Sequence, residues 1–436
     1  MNWFFSFFTN KVIKNASWII LGRIANMICA FFVSIITAQY LGPSNFGLIN
    51  YGIAYTTFFY SLCSLGINSI LVKALIDDRL KEGSILGSTL VLQIISSIVS
   101  SIVIILIVSI VDRNEFSTLL VVILCSIGLP FRVFHCIKYW FQSQLISKYS
   151  AIATTVGYLL TSFFRIILLM RGASVYWFAM SNALDYLIVA IILLFFYFKC
   201  NGKMFSFDID KSKELLKMGA PFILAGLMVS IYGNTDKIML KQMMSSDSVG
   251  YYSVAVSLSN AWVFVLTAVI DSMTPIIMEA HKSDYKKYER YNRLLYFCVF
   301  YISISVSVLF LVFSKIIITH LYGEKYLPAI VPLQIVSWYV AFSYLGVARN
   351  AWIISENLQK YIFPIYVCAA FFNIALNYFL IPPMGASGAA LASLLTQIST
   401  VLFFPLLIKP LRKNILLLLE AIFLKDLREI LRFIKQ

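Results

Sequence analysis

The chain has 436 residues, 60% of them hydrophobic and only 13% charged, with a mean hydropathy of +0.86 and a formal net charge of +15. Soluble domains carry about a quarter charged residues, and disordered chains lack the apolar side chains abundant here, so neither class fits. A single anchor on a soluble domain does not fit either, because apolar residues run from end to end. At about 20 residues per helical span, the chain holds about twelve spans joined by short loops. It reads as an all-α polytopic membrane protein.

In chain order, Trp3, Phe4, Phe5, Phe7 and Phe8 suit a short aromatic segment at the membrane interface. No basic residues precede them and no small-x-small site follows, so this is not the pattern of a signal peptide. The predicted spans then run at about 16–39, 46–70, 84–111, 116–141, 149–170 and 175–199. After a polar linker they resume at about 218–241, 249–273, 292–318, 327–352, 360–381 and 386–409. The tail mixes Leu and Ile with Lys, Arg and Glu, the composition of an amphipathic helix at a membrane surface. The predicted division is an N-terminal lobe at 1–205, a C-terminal lobe at 206–412 and a cytoplasmic tail at 413–436.

Charge tests this topology. With the N-terminus in the cytoplasm, the even-numbered loops and the tail carry most of the Lys and Arg. The opposite side keeps only Arg113, Arg171, Lys237, Lys241, Lys315 and Lys325. Such a bias is expected when short basic loops stay inside, and it puts both termini in the cytoplasm. The positive charge is thereby explained without nucleic acid, for which no continuous basic stripe exists. No CxxC pair occurs among the seven cysteines, and His135, His281 and His320 are far apart, so a metal site is not expected.

The chain also repeats. Ser44-Asn45-Phe46-Gly47 after the first span matches Asp247-Ser248-Val249-Gly250 after the seventh, and Gly172-Ala173-Ser174 matches Gly385-Ala386-Ser387. Two matches in the same order, at similar offsets, predict two homologous halves of six spans, parallel because six is even.

Asn15-Ala16-Ser17-Trp18 with Leu21-Gly22-Arg23, then Ala38-Gln39-Tyr40-Leu41-Gly42-Pro43-Ser44-Asn45-Phe46-Gly47, resembles the opening of Wzx-type O-antigen flippases. So does Thr235-Asp236-Lys237-Ile238-Met239-Leu240, followed by Val249-Gly250-Tyr251-Tyr252. Asn373-Ile374-Ala375-Leu376-Asn377-Tyr378 through Pro382, with Gly385-Ala386, resembles the end of that family. The resemblance implies the multidrug/oligosaccharidyl-lipid/polysaccharide exporter superfamily, with two six-helix lobes around a central cavity and transport by alternating access. The implied cargo is an undecaprenyl-pyrophosphate-linked oligosaccharide, moved from the cytoplasmic to the periplasmic leaflet of a bacterial inner membrane. Implied partners are that lipid-linked oligosaccharide, membrane lipids, and the polysaccharide polymerase and chain-length regulator that act on the product. Lys237 departs from the family pattern, which usually has a neutral residue after the Asp.

Charges inside spans cost about 2.5–3.5 kcal/mol on insertion scales, so they face a cavity or a partner. Arg23, in the first span, offers a bidentate fork to a phosphate; the alternative is a side chain snorkelling to the interface. Asp185 and Arg165, on adjacent spans, are close enough in depth for a structural ion pair or a role in the lumen. Asp236 is a protonatable or sodium-binding group, or the partner of a neighbouring Lys. Asp271 is a cavity acid or an ordinary interfacial one, and Arg349 a lipid-phosphate ligand or a cytoplasmic anchor. Gly83-x-x-x-Gly87 permits close helix contact.

No GxxxxGK[ST] phosphate loop is present, nor any GxSxG or HExxH site in a soluble loop. The expectation is a transporter, not an enzyme. It has no cofactor, and a proton or sodium gradient or product removal provides the drive. Two alternatives stay open: a cation-coupled multidrug exporter of the same superfamily, and a membrane glycosyltransferase or polymerase, against which the very short odd-numbered loops argue.

Overall fold

The computed structural model describes residues 11–423, leaving aside the side chains of 11–17, 19–21, 23–25 and 225. The aromatic segment at 3–8 and the tail beyond 423 therefore lie outside the described residues. Those described form helices and no strand. Eleven helical stretches are long and apolar enough to cross a membrane. The first, α1 (Lys11–Cys63), is broken at Gly42, whose φ of 71° and ψ of 173° no helix contains. Pro43 follows, lacking the N–H that a continuing helix would need. The break separates the first two predicted spans, so all twelve have a helical counterpart.

The chain divides into two compact units, Met1–Asn234 and Thr235–Gln436. The first holds α1, α2 (Glu82–Val111), α3 (Phe116–Ser143), α4 (Lys148–Met170) and α5 (Val175–Lys199). Helix α6 (Ile209–Met243) runs through the division. The second unit continues with α7 (Ser246–Asn260), α8 (Phe264–Ser283), α9 (Tyr285–Tyr322), α10 (Ile330–Ser355), α11 (Ile362–Met384) and α12 (Ala386–Leu407). A short α13 (Arg412–Ile422) closes the described chain.

Helix α2 shows what solvent the fold expects. Ile95, Val99, Ile102, Leu106 and Ile110 form an exposed stripe, while Gln93, Ser97 and Ser100 are buried. A soluble helix would have these faces reversed. Small and polar residues inside with branched aliphatics outside is the membrane pattern, in which small side chains let helices approach and hydrogen bonds join them. Ser307 on α9 repeats it, donating to the Ser337 carbonyl of α10 at 2.8 Å.

Two local readings change. The predicted eighth span at 249–273 is two helices, α7 and α8, separated by a turn at 261–263. The Gly83/Gly87 pair receives an extended strap rather than a helix: a Cβ on either glycine would collide with the backbone oxygens of Met204 or Ser206. The Ser206 N–H donates to the Gly83 carbonyl at 3.2 Å, and Asp208 exchanges hydrogen bonds with Ser88 before capping α6 through the amides of Asp210 and Lys211. The described part of the predicted tail, α13, packs one face on α9. Lys413 pairs with Glu289 at 2.7 Å and Arg293 with Glu420 at 3.2 Å, while Ile415, Leu417 and Leu418 are buried.

The repeat has a conformational signature. Gly172 and Gly385, the first residues of the matched Gly-Ala-Ser turns, take left-handed φ values of 64° and 54°. Both stand between two spanning helices, and a side chain would be strained at either.

Candidate functional site

The first unit contains a polar cavity of about 380 Å³ lined by residues of α1, α3 and α4. Its shape begins with the irregular course of α3. The helix stops at Ile127–Gly128, restarts with Pro130 in its first turn, and tightens to a 3-10 turn over Val133–Cys136. Within a spanning segment, irregular backbone is stable only where protein buries it or a cavity hydrates it. Here it gathers two cations, Arg132 and Lys138, around the imidazole of His135. His135 and Lys138 line the cavity, 3.3 Å apart between His135 Nδ1 and Lys138 Nζ. The Arg132 guanidinium lies over the Tyr60 ring at 3.7 Å and the Tyr186 ring at 5.3 Å, and its Nη1 is buried without a partner. Tyr60 lines the cavity too, and among the described residues no Asp or Glu does.

Sequence reasoning missed much of this cluster. In the sequence Lys138 reads as a loop cation, while Arg132 lies inside the predicted span 116–141, where the same insertion cost as for Arg23 applies. Arg23 is on α1 between two cavity residues, Gly22 and Asn26, but its side chain lies outside the described residues.

Deeper in the same unit, Arg165 and Asp185 do not form an ion pair. Arg165 donates to Ser181 Oγ at 2.8 Å and Asn182 Oδ1 at 2.9 Å, while Asp185 accepts from Thr161 at 3.2 Å. Ser181 and Asn182 precede Asp185 by about one turn of α5, and their uncharged oxygens satisfy the guanidinium there.

The second unit gathers a different site around Asp236. Its carboxylate is 4% exposed. Tyr252 of α7 donates to it at 2.6 Å and Asn377 of α11 at 2.6 Å, and Ser393 of α12 donates as well. Asn373, one helical turn before Asn377 and so on the same face, accepts from Asn377 at 3.0 Å. Four helices thus converge on one carboxylate; its hydrogen-bond partners are hydroxyls and amides, while Lys237 acts on it through space. The Asn377 Oδ1 and, one turn away, the Asn373 Nδ2 are both buried and unpartnered. A buried acceptor beside a buried carboxylate is costly unless a proton or a cation is shared among them. The oxygens of Asp236, Tyr252, Ser393 and the two amides form a hard-ligand set suited to a small cation. Among the described residues, no group of three His, Cys, Asp or Glu forms a conventional metal site.

The other predicted residues stand apart from both sites. Asp271 is exposed on α8. Arg349 is 4% exposed on α10 and donates to the Thr400 carbonyl at 3.1 Å. That carbonyl belongs to a π-helical turn, Ser399–Phe403.

A family described as "Polysaccharide biosynthesis protein" matches residues 12–281, more than half of the chain. The chain belongs to that family. Its members' fold is recognisable in solved transporters. Lipid II flippase MurJ in an inward closed conformation superposes with a TM-score of 0.73 at 17% identity, covering 93% of this chain and 91% of MurJ. An inward-facing multidrug resistance MATE family transporter of the MOP superfamily gives 0.70 at 15% identity, covering 91% and 99%. A MOP superfamily transporter from Pyrococcus furiosus, described as having a binding pocket of reverse polarity, gives 0.62 at 12%, covering 92% and 96%. At these identities the likeness is one of fold. No curated protein matches the sequence. This polysaccharide biosynthesis protein is therefore a multi-pass membrane protein with the fold of the MOP transporters.

Proposed function

We propose that the chain is a flippase for a lipid-linked oligosaccharide, carrying an undecaprenyl-pyrophosphate repeat unit such as that of O-antigen from the cytoplasmic to the periplasmic leaflet of the bacterial inner membrane. The supporting observation is the cavity of the first unit, where Lys138 and the neutral donor His135 gather with Arg132 close by and no Asp or Glu among the described residues joins the lining. Asp185 acts on Lys138 from outside the lining, but Lys138 and Arg132 together leave an excess of positive charge, which in a low-dielectric surrounding favours an anion. A pyrophosphate supplies that charge, and Arg and Lys supply charge-assisted hydrogen bonds to it. A pocket for cationic drugs needs the opposite sign, which weighs against the exporter alternative.

In this reading the cargo crosses without bond cleavage, and the product passes to polymerase and chain-length regulator in the outer leaflet. The Asp236 cluster supplies the ion-coupling site, taking a proton or a sodium ion. Both termini are cytoplasmic.

The test is complementation. In cells lacking the chain, wild type and Arg113→Met, an exposed position, restore surface polysaccharide. Arg132→Met and Lys138→Met, expressed to the same level, leave it at least about tenfold lower, the effect of losing roughly 1.4 kcal/mol or more from a charged hydrogen bond. Normal polymer in both cavity variants contradicts the proposal.

A further inference from the structure

The cavity of the first unit has two walls of opposite hydrogen-bonding character. One comes from α3. Lys138 Nζ can only donate, so His135 Nδ1, 3.3 Å away, must accept, which places the neutral ring's proton on Nε2. That Nε2 is buried and has no protein partner. At Lys138 and His135 this wall therefore presents donors, beside Tyr139 and Gln142, which can play either role.

The other wall comes from α1 and α4, brought close where Gly22 meets Ala151. Ser150 spends its hydroxyl proton on the Ser147 carbonyl at 2.8 Å, and Thr154 shares its own between the carbonyls of Ser150 and Ala151, both at 3.0 Å. Only lone pairs remain on those two oxygens. Asn26 adds a carbonyl oxygen that is buried and unpartnered. All three residues line the cavity, so this wall presents acceptors.

We infer that the cavity is divided into two subsites. The α3 wall holds phosphate oxygens, and Asn26, Ser150 and Thr154 hold a hydrogen-bond donor attached beside the phosphate, namely the hydroxyl or acetamido N–H groups of the first sugar. An anion is repelled by the lone pairs of the second wall, and a polyprenyl chain would leave those acceptors unsatisfied. A sugar satisfies them. These residues thus distinguish a glycosylated lipid from a bare one, much as a site built to bond a substrate OH or NH rejects the analogue lacking it. The inference rests on the phosphate-binding reading of the same cavity.

The experiment measures equilibrium binding of two probes to the purified full-length protein in nanodiscs: undecaprenyl pyrophosphate, and the same lipid bearing one N-acetylhexosamine. Wild type should bind the glycosylated probe at least about fivefold more tightly, the scale of one satisfied buried acceptor. Thr154→Val and Asn26→Leu should erase that preference and leave affinity for the bare probe unchanged, whereas Thr154→Ser, which keeps the hydroxyl, should retain it. Lys138→Met should weaken both probes together. Thermal melting identifies any variant that has not folded, and Thr154→Val, nearly isosteric, keeps the test valid if Asn26→Leu fails. The inference is overturned if wild type shows no preference, or if Thr154→Val weakens both probes equally or neither. Failure of wild type to bind either probe would instead sink the phosphate reading beneath it.

Discussion

Asp236 and Arg132 are both charges inside apolar spans, and the sequence treats them unequally. Asp236 was visible because an acid in a span is conspicuous and carries a familiar pattern around it. Its partners were less so. Asn373 and Asn377 stand four apart in an apolar stretch, which puts both on one helix face, yet nothing local indicates that Tyr252 and Ser393 meet the same carboxylate. Those contacts are made between helices distant in sequence. Arg132, His135 and Lys138 were obscured for another reason. A 3.6-residue period assigns the wrong facing across the turns at 127–136, where α3 is not a regular helix. The Asp236 cluster carries its own prediction. In Asp236→Asn the surrounding hydroxyls can rotate from donating to accepting, so the fold should lose only about 1–2 kcal/mol. Transport should nonetheless stop responding to an imposed sodium or proton gradient. A variant whose transport keeps its gradient dependence would remove Asp236 from the coupling site.

At the level of elements, hydropathy locates helices well because each span must satisfy its own backbone in lipid. It says little about what leans on them. The small pair Gly83 and Gly87 marks a close approach, and that much is legible; that the approaching segment is the strap at 203–208 depends on where α5 ends and α6 begins. The strap ties the linker to the first unit through Ser206, Asp208 and the Tyr197 hydroxyl, which donates to the Lys203 carbonyl at 2.6 Å. Gly87→Ala should therefore force the strap off its seat, costing about 1–3 kcal/mol and lowering the melting temperature of the purified protein. Gly233→Ala, in α6 with open space at its Cβ, is the matched control, expected to hold or slightly raise it because Ala suits a helix better. Equal melting of the two variants would show that the strap is not seated as described. The Gly172 and Gly385 turns show the complementary case, in which a short sequence match had a specific backbone conformation behind it.

For the whole molecule, composition already demanded a membrane, and the exposed aliphatic stripe of α2 with its buried Gln93, Ser97 and Ser100 gives that demand a physical form. The two units carry unlike chemistry. One has a cavity lined by Lys138 with Arg132 close by, and the other a buried carboxylate held by hydroxyls and amides. That asymmetry, in a chain whose sequence repeats its Gly-Ala-Ser turn, is the basis of the proposal that the first carries cargo and the second provides drive. Reconstitution into liposomes measures the outcome directly. Labelled undecaprenyl-pyrophosphate oligosaccharide is placed in one leaflet, and its exposure to a membrane-impermeant probe on the other side is followed in time. Wild type should expose the label well above the rate of empty liposomes, with Arg132→Met and Lys138→Met reduced at least about tenfold. Exposure by wild type no faster than by empty liposomes, in the presence of sodium and proton gradients of either direction, would contradict the account.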